Sequence, residues 1–191
     1  GASLASILFK IKNPSVGLLN VGTEENKGNE IIQVTSDELS KMSARKIINY
    51  HGYIEGNDIS VGKTNVVVTD GFTGNIALKT AEGTAKMIQS YLKLGFQSSI
   101  ISKVGYMLSS LALKSVNDRL DPRIHNCGIL IGLNSPVIKC HGSSERMGIS
   151  YAADIIYSLV KDKVNDRIKE YISYSMKNRW ILSYNLNIIC C

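Results

Sequence analysis

The chain has 191 residues, enough for one domain with a full core or for part of a larger one, and its composition (44% hydrophobic, 20% charged) is that of a soluble globular protein. No stretch reaches the roughly 18 uninterrupted apolar residues of a membrane-spanning helix, and no signal-type N-terminus suggests export. The net charge of +6 favours an acidic partner (nucleic acid, anionic lipid or an acidic carrier protein) or reflects a mildly basic surface without function.

The four cysteines, Cys127, Cys140, Cys190 and Cys191, form no CxxC motif and no His/Cys spacing typical of a metal site. The pair at the end of the chain is not a disulfide framework. We therefore expect a reducing compartment and no structural metal.

In the first part of the chain, Gly1–Ile11 has the pattern of the end of a helix. Val16–Val21 follows as a strand, and Gly22–Asn29 is a polar loop with glycines near both ends. A helix from about Glu30 to Arg45 is predicted next, with Ile32, Leu39 and Met42 on its inner side, and then a strand over Ile47–Ile54.

After a turn at Glu55–Asp58, the β-branched run Val66–Thr69 predicts a buried strand, and a helix is predicted from Ile76 to Gly95. Asp70–Asn75 between them is predicted to be a tight turn. A strand that enters a helix through such a turn leaves free backbone N–H groups at the helix start, which can bind an anion. The alternative is a capped turn without function.

Phe96–Val116 carries apolar residues at intervals of three and four and a serine-rich polar face with Lys103 and Lys114. It fits either a buried helix pair in a dimer interface or an amphipathic hairpin that contacts anionic lipid. The residues predicted to contact a membrane or a second subunit are Phe96, Ile100, Val104, Met107, Leu108 and Leu111.

Strands are predicted at Gly128–Leu133 and Val137–Lys139, and one long helix from Ser144 to Ile168. Alternating strands and helices indicate an α/β fold with a mostly parallel sheet. The loops that leave the strands would then meet at one edge, where ligands bind. We expect Gly22–Asn29, Asp70–Asn75 and His141–Ser144 to converge on one small anion.

Four segments in order, Val16–Asn29, Tyr53–Ile59, Val66–Gly83 and Val137–Ser144, closely resemble the phosphate acyltransferases of bacterial phospholipid synthesis (the PlsX family). The resemblance runs from about Gly1 to the helix after Ser144. It implies a three-layer α/β/α fold like that of phosphotransacetylases and isocitrate dehydrogenases.

The resemblance further implies transfer of a fatty acyl group from acyl carrier protein to inorganic phosphate, without metal or cofactor and without nucleic acid. Family members are cytoplasmic homodimers that associate peripherally with the membrane. Residues 1–177 would form the C-terminal part of such an enzyme, with the N-terminal strands missing and a protruding helical hairpin at about 88–118. Residues 178–191 do not resemble the family's end.

In this context the candidate catalytic residues are His141, Lys139 and Asn75. His141 could donate to phosphate or protonate the departing sulfur, or could simply be hydrogen-bonded in a turn. Lys27 could neutralise phosphate as a point cation, or could be solvated. The candidate phosphate- and substrate-binding residues are Thr23, Lys27, Gly28, Asn29, Asp70, Gly71, Thr73, Gly74, Asn75, Gly142 and Ser143.

Other interpretations remain open at this point. Cys140 could act as a covalent nucleophile, but no base and orienting group accompany it. A nicotinamide-dependent decarboxylating dehydrogenase on a related fold would need clustered aspartates and substrate-binding arginines, which the sequence lacks. The chain could also be an inactive module that only dimerises and binds membrane or carrier protein.

Overall fold

The computed structural model describes residues 1–119, 127–140, 146–177 and 189–190. Their Cα positions divide into two compact units. The first comprises the described residues of Gly1–Gly74, Gly132–Pro136 and Ser158–Cys191, and the second those of Asn75–Ile131 and Val137–Tyr157.

The first unit contains a four-stranded sheet in the order β2-β1-β3-β6. Its strands are β1 (Ser15–Leu19), β2 (Asn49–Ile54), β3 (Val66–Thr69) and β6 (Ile189–Cys190). β1 pairs in parallel with both β2 and β3, whereas β6 is antiparallel to β3. The sheet is therefore mostly parallel, as the sequence predicts.

Helices flank this sheet, and the fold is α/β of the three-layer α/β/α type. They are α1 (Ala2–Leu8), α2 (Glu30–Ala44), α3 (Gly56–Val61) and α8 (Val164–Lys177). Ala5 of α1 is buried against Val16 and Val66 of the sheet, and α1 also contacts α8. On β2, the Tyr50 hydroxyl is 2.8 Å from the Ser36 hydroxyl of α2.

The second unit contains most of α4 (Gly71–Gln97), then α5 (Ile100–Leu108) and α6 (Ser110–Arg119). It also contains β4 (Cys127–Leu130), β5 (Val137–Cys140) and much of α7 (Arg146–Lys161). β4 and β5 form a separate two-stranded antiparallel sheet. The prediction that β5 belongs to the parallel sheet is therefore wrong.

Two helix boundaries differ from the predicted ones. Glu55–Asp58 is not a simple turn, because it opens α3 with a capping box between Glu55 and Asp58. The predicted long helix from Ser144 to Ile168 is interrupted between α7 and α8, where Lys163 has a positive φ of 48°. The apolar residues Leu159 and Val164 are each 1% exposed, so a fully buried side chain lies on either side of this break.

The predicted apolar face of α4 is largely exposed rather than buried in the described chain. Ile76, Leu78, Ile88 and Leu92 are 45–48% exposed. Their periodicity predicts the helix correctly, but the buried partner that such a face normally contacts is not among the described residues.

Candidate functional site

β1 and β3 are parallel neighbours, so the segments that follow them leave the sheet at the same carboxyl edge. These segments are Asn20–Asn29 after β1 and the start of α4 at Asp70 after β3. The third predicted loop, His141–Ser144, lies outside the described residues and follows β5 of the other sheet. A shared sheet edge therefore relates two of the three loops.

The buried side chain of Asn20, which sequence analysis did not single out, closes the loop after β1. It is 7% exposed, donates to the Lys27 carbonyl at 3.1 Å and accepts from the Val21 N–H at 2.9 Å. Both functions of the amide are thus used, as a buried polar group requires. The only sequence signal is an asparagine directly after a buried strand.

Gly28 is required at its position in this loop. Its φ of 88° is in the region that favours glycine, and a Cβ there would lie 2.4 Å from Asn20 Oδ1. The backbone of Gly28 therefore passes directly over the Asn20 amide, a contact that no other residue type can make unchanged.

The far side of the loop is fixed to α2. The Gln33 amide lies 3.3 Å from both the Asn26 and the Gly28 carbonyls, and it can donate to each. The Asn29 side chain accepts from the Ile32 N–H at 3.0 Å and so caps α2. Asn29, predicted as a substrate-binding residue, has this structural contact in the described chain.

Within this loop, the Thr23 and Lys27 side chains are exposed. Among the described residues, no hydrogen bond or ion pair is formed by the Lys27 ammonium. The loop backbone is thus fixed while its single cation faces solvent, which is the arrangement of a point charge available to an anion.

At the carboxyl end of β3, the tight turn predicted at Asp70–Asn75 is instead the first turn of α4. The Asp70 carboxylate accepts from the Phe72 and Thr73 N–H groups, each at 2.9 Å, and the Gly74 N–H donates to the Asp70 carbonyl. Asp70 therefore caps α4. The prediction of free N–H groups is wrong for Phe72 and Thr73, because Asp70 occupies these donors.

The cap also explains the charge state of Asp70. Hydrogen bonds from the Thr73 hydroxyl, and then from the Thr73 and Phe72 N–H groups, lower the pKa of the Asp70 carboxyl below its ordinary value. Gly74, directly behind the cap, is buried, and a Cβ on it would lie 2.7 Å from Thr69 Cγ2. The small residues of this turn therefore permit α4 to start close to the end of β3.

We expect Asp70→Ala to lower the free energy of unfolding by about 1 kcal/mol at neutral pH, because two helix-start donors lose their acceptor. Since folding lowers the Asp70 pKa, the charged cap stabilises the fold fully above the unfolded value near 4 and is lost as pH falls through the folded value. Urea unfolding of both proteins across this pH range should show the difference shrinking in acid.

Asp37→Ala is the matched control for this prediction, because it removes an exposed carboxylate from the interior of α2. An effect of Asp70→Ala no larger than that of the control, or one that grows in acid, would contradict the capping role.

The remaining predicted catalytic residues are placed as follows. Asn75 is exposed within α4, and Lys139 is exposed on β5; both belong to the second unit. His141, Gly142 and Ser143 lie outside the described residues. In the described ranges, no three His, Cys, Asp or Glu side chains are grouped closely enough to hold a metal ion.

The predicted membrane- or dimer-contacting residues form an exposed apolar surface on α5 and α6. Ile100, Met107, Leu108 and Leu111 are 69–84% exposed, and Val104 is 48% exposed. The Phe96 ring, at the end of α4, packs edge-on to Tyr106 with centroids 5.3 Å apart. Lys93 and Lys103 line a cavity of about 490 Å³ beside them. None of the described helices is long and apolar enough to cross a bilayer.

Together, the parallel sheet and the glycine-containing loops at its carboxyl edge define an α/β protein of the kind that binds small ligands at that edge. Comparison with known proteins then identifies the family. A family model described as "Fatty acid synthesis protein" matches residues 1–167, and the chain belongs to this family.

The curated relatives include three bacterial proteins named phosphate acyltransferase. The one from Beijerinckia indica subsp. indica is 43% identical over 179 residues, which are 94% of this chain and 46% of the relative. That of Azorhizobium caulinodans is 45% identical over 172 residues (90% and 48%), and that of Paramagnetospirillum magneticum 44% over 170 (89% and 48%). The chain thus spans just under half the length of these relatives.

Proposed function

We propose that the chain contributes to an acyltransferase that moves a fatty acyl group from acyl carrier protein to inorganic phosphate, giving acyl phosphate for phospholipid synthesis. The family match over residues 1–167 is the observation that carries this proposal. The chain covers less than half of its relatives, and we propose that it corresponds to the C-terminal part of such an enzyme.

The phosphate site is proposed at the carboxyl edge of β1 and β3. The Gly22–Asn29 loop supplies Thr23 and the Lys27 ammonium, which is exposed in the described chain, and Gly28 permits the fixed loop backbone. The proposed role of Asp70 is to hold the start of α4 in place, because its carboxylate accepts hydrogen bonds from the Phe72 and Thr73 N–H groups. Its negative charge would repel phosphate, so we do not propose direct contact between Asp70 and the anion. Gly74 permits the close approach of α4 to Thr69, Gly71 is the first residue of this helix, and Asn75 lies one turn further along it.

The proposed reaction mainly requires that the enzyme position the phosphate against the thioester carbonyl. A phosphate oxygen attacks the thioester carbonyl carbon, forming a C–O bond and a tetrahedral oxyanion. The C–S bond then breaks, and the departing thiolate takes a proton. Asn75 is proposed to stabilise the oxyanion, and Lys139 or His141 to supply the proton, with Gly142 and Ser143 forming the adjoining backbone.

We expect Lys27→Ala to weaken phosphate binding by about tenfold, because one charge-assisted contact is lost. Calorimetric titration of the chain with inorganic phosphate measures this directly. Lys12→Ala is the matched control: the same charge is removed from an exposed position before β1, at the opposite edge of the sheet. Lys27→Arg should retain most of the affinity, since the positive charge remains.

The assay for the whole activity is release of free carrier protein from acyl carrier protein, dependent on added phosphate. Equal phosphate affinity in Lys27→Ala and Lys12→Ala would remove the site assignment. Phosphate binding without any phosphate-dependent release would show that this chain binds the anion but does not complete the reaction.

The exposed apolar surface of α5 and α6 is proposed to contact a second copy of the chain, an anionic membrane surface, or both at different parts. Lys93 and Lys103 beside this surface support attraction to anionic lipid and to an acidic carrier protein. Sedimentation equilibrium measures the first contact and co-sedimentation with vesicles the second. The enzyme would then act in the cytoplasm, peripherally associated with the membrane.

A further inference from the structure

Two cysteines lie directly opposite each other in the antiparallel pair of β4 and β5. Cys127 pairs with Cys140 in the ladder, and their Sγ atoms are 3.5 Å apart. Both thiols are free and half-buried. Directly opposed residues of an antiparallel pair have Cα atoms about 4.5–5.5 Å apart, which lies within the range that a disulfide bridges.

We propose that Cys127 and Cys140 form a reversible dithiol–disulfide pair, a modification site closed by two-electron oxidants such as hydrogen peroxide or oxidised glutathione. This inference does not depend on the acyl-transfer proposal, because it rests on the register of β4 and β5. It is compatible with a reducing compartment, where disulfides are usually transient and redox-sensing.

In the reduced state, the Cys127 thiol also forms a hydrogen bond to the backbone of α7. The thiol donates to the Gly148 carbonyl in the first turn of α7, with the sulfur 3.9 Å from the oxygen. Burial, and then the neighbouring Cys140, raise the pKa of the Cys127 thiol. Reduced Cys127 is therefore mainly protonated at neutral pH and links β4 to α7.

With hydrogen peroxide, the oxidation proceeds in two steps. One thiol gives up its proton, and the thiolate attacks a peroxide oxygen. The O–O bond breaks, a sulfenic acid forms, and the departing hydroxide takes up the proton to give water. The second sulfur then attacks the sulfenic sulfur, an S–S bond forms, and a second water leaves. Two thiols thus lose two electrons and two protons, and one peroxide is reduced to two waters. A thiol reductant reverses the change by exchange.

Closing the disulfide changes the surroundings of both strands. Cys127 loses the proton that it donates to Gly148, so its hydrogen bond to α7 is lost. At the same time the end of β5 becomes covalently tied to the start of β4, and residue 141 follows Cys140 directly. The oxidation state of the pair therefore changes the constraint on Cys140, the residue that precedes His141 in the sequence.

Tryptic mapping tests the proposal on the whole chain. Cleavage after Arg123, Lys139 and Arg146 places Cys127 and Cys140 on separate peptides, residues 124–139 and 140–146, which a disulfide joins. The background carries Cys190→Ser and Cys191→Ser, so that no other thiol competes. We expect peroxide treatment of folded protein to give the joined peptides with the mass of two hydrogens lost, and reductant to separate them.

The folded chain should form this disulfide about tenfold faster than the same chain in urea, because the strand pairing replaces random loop closure. The matched control combines Cys140→Ser with Ile138→Cys, which keeps the number of thiols but moves one opposite Ile129. This position is diagonal to Cys127, about 7–8 Å away and too far for a disulfide without backbone movement. In the control both thiols lie on peptide 124–139, so a disulfide would appear as the loss of two hydrogens within that peptide, and we expect the peptide to keep its full reduced mass.

Any of three results would overturn the proposal: no joined peptides from the folded chain, equal rates in folded and urea-unfolded chains, or a disulfide within peptide 124–139 of the control in equal yield. The first two results are measured on the background protein, which retains Cys127 and Cys140. They therefore remain interpretable even if the substitutions of the control destabilise its fold.

Discussion

Ile54→Ala is expected to lower the free energy of unfolding by about 2–5 kcal/mol, the range for removing a fully buried aliphatic side chain. Ile54 is 0% exposed at the end of β2, and its backbone carbonyl accepts from the Asn20 N–H. Its side chain also covers the Cα of Gly17 in β1, since a Cβ there would be 2.8 Å from Ile54 Cγ2. A cavity would therefore open where the end of β2 packs against β1. Urea unfolding followed by circular dichroism measures the loss.

The control for this prediction is Ile31→Ala, which removes the same atoms from a side chain that is 71% exposed on α2. A loss at Ile54 no larger than at Ile31 would contradict the packing. The double variant is more specific. Gly17→Ala alone should destabilise the fold by crowding Ile54 and Thr64. Together with Ile54→Ala it should cost less, because the Ile54 atoms are gone and only Thr64 still crowds the new methyl group.

Gly28→Ala is expected to cost about 2–4 kcal/mol of stability, from a left-handed backbone and from overlap with the Asn20 amide. Because Asn20 holds the Lys27 carbonyl, relief of this overlap displaces the loop that carries the proposed phosphate-binding cation. Both the free energy of unfolding and the affinity for inorganic phosphate should therefore fall.

Gly52→Ala separates the cost of a left-handed backbone from the cost of overlap with a neighbouring side chain. Gly52 has a φ of 105°, yet no atom lies within 4 Å of a Cβ placed there. This variant should show only the backbone cost, about 1–2 kcal/mol, and unchanged phosphate affinity. If both variants lose equal stability and neither changes phosphate affinity, the contact between Gly28 and Asn20 has no role in positioning the loop.

The regular elements around the candidate site could be predicted from sequence because their signals are local. β3 coincides with the predicted Val66–Thr69, and α2 begins at the predicted Glu30. β-branched residues favour the first, and the capping Asn29 with a period of 3.6 favours the second. Such patterns need no knowledge of tertiary contacts.

The errors arise where two local signals compete or where contacts decide. Gly71 and Gly74 suggest a turn, but the Asp70 cap and the close approach to Thr69 make them the first turn of a helix. Six residues of α3 are too few to show a helical period. The role of Asn20 depends on its burial and on Lys27, seven residues away, which no local pattern reveals.

The antiparallel pairing of β4 and β5 can be predicted from the short connection between them in the sequence. A turn at Asn134–Pro136 separates the two predicted strands, and so short a connection cannot cross over to a parallel neighbour. The alternation of strands and helices elsewhere in the chain favours one common sheet, but the short connection decides how these two strands pair.

The arrangement of the main sheet has a consequence for biosynthesis. All three parallel strands come from residues 15–69, whereas α8, which contacts α1, and β6, which lines the edge of β3, come from residues 164–177 and 189–190. On the ribosome the parallel strands can assemble while later residues are still being translated, because domains fold as their sequence emerges. Until α8 and β6 arrive, α1 and β3 lack the contacts that these two later elements make with them in the described chain.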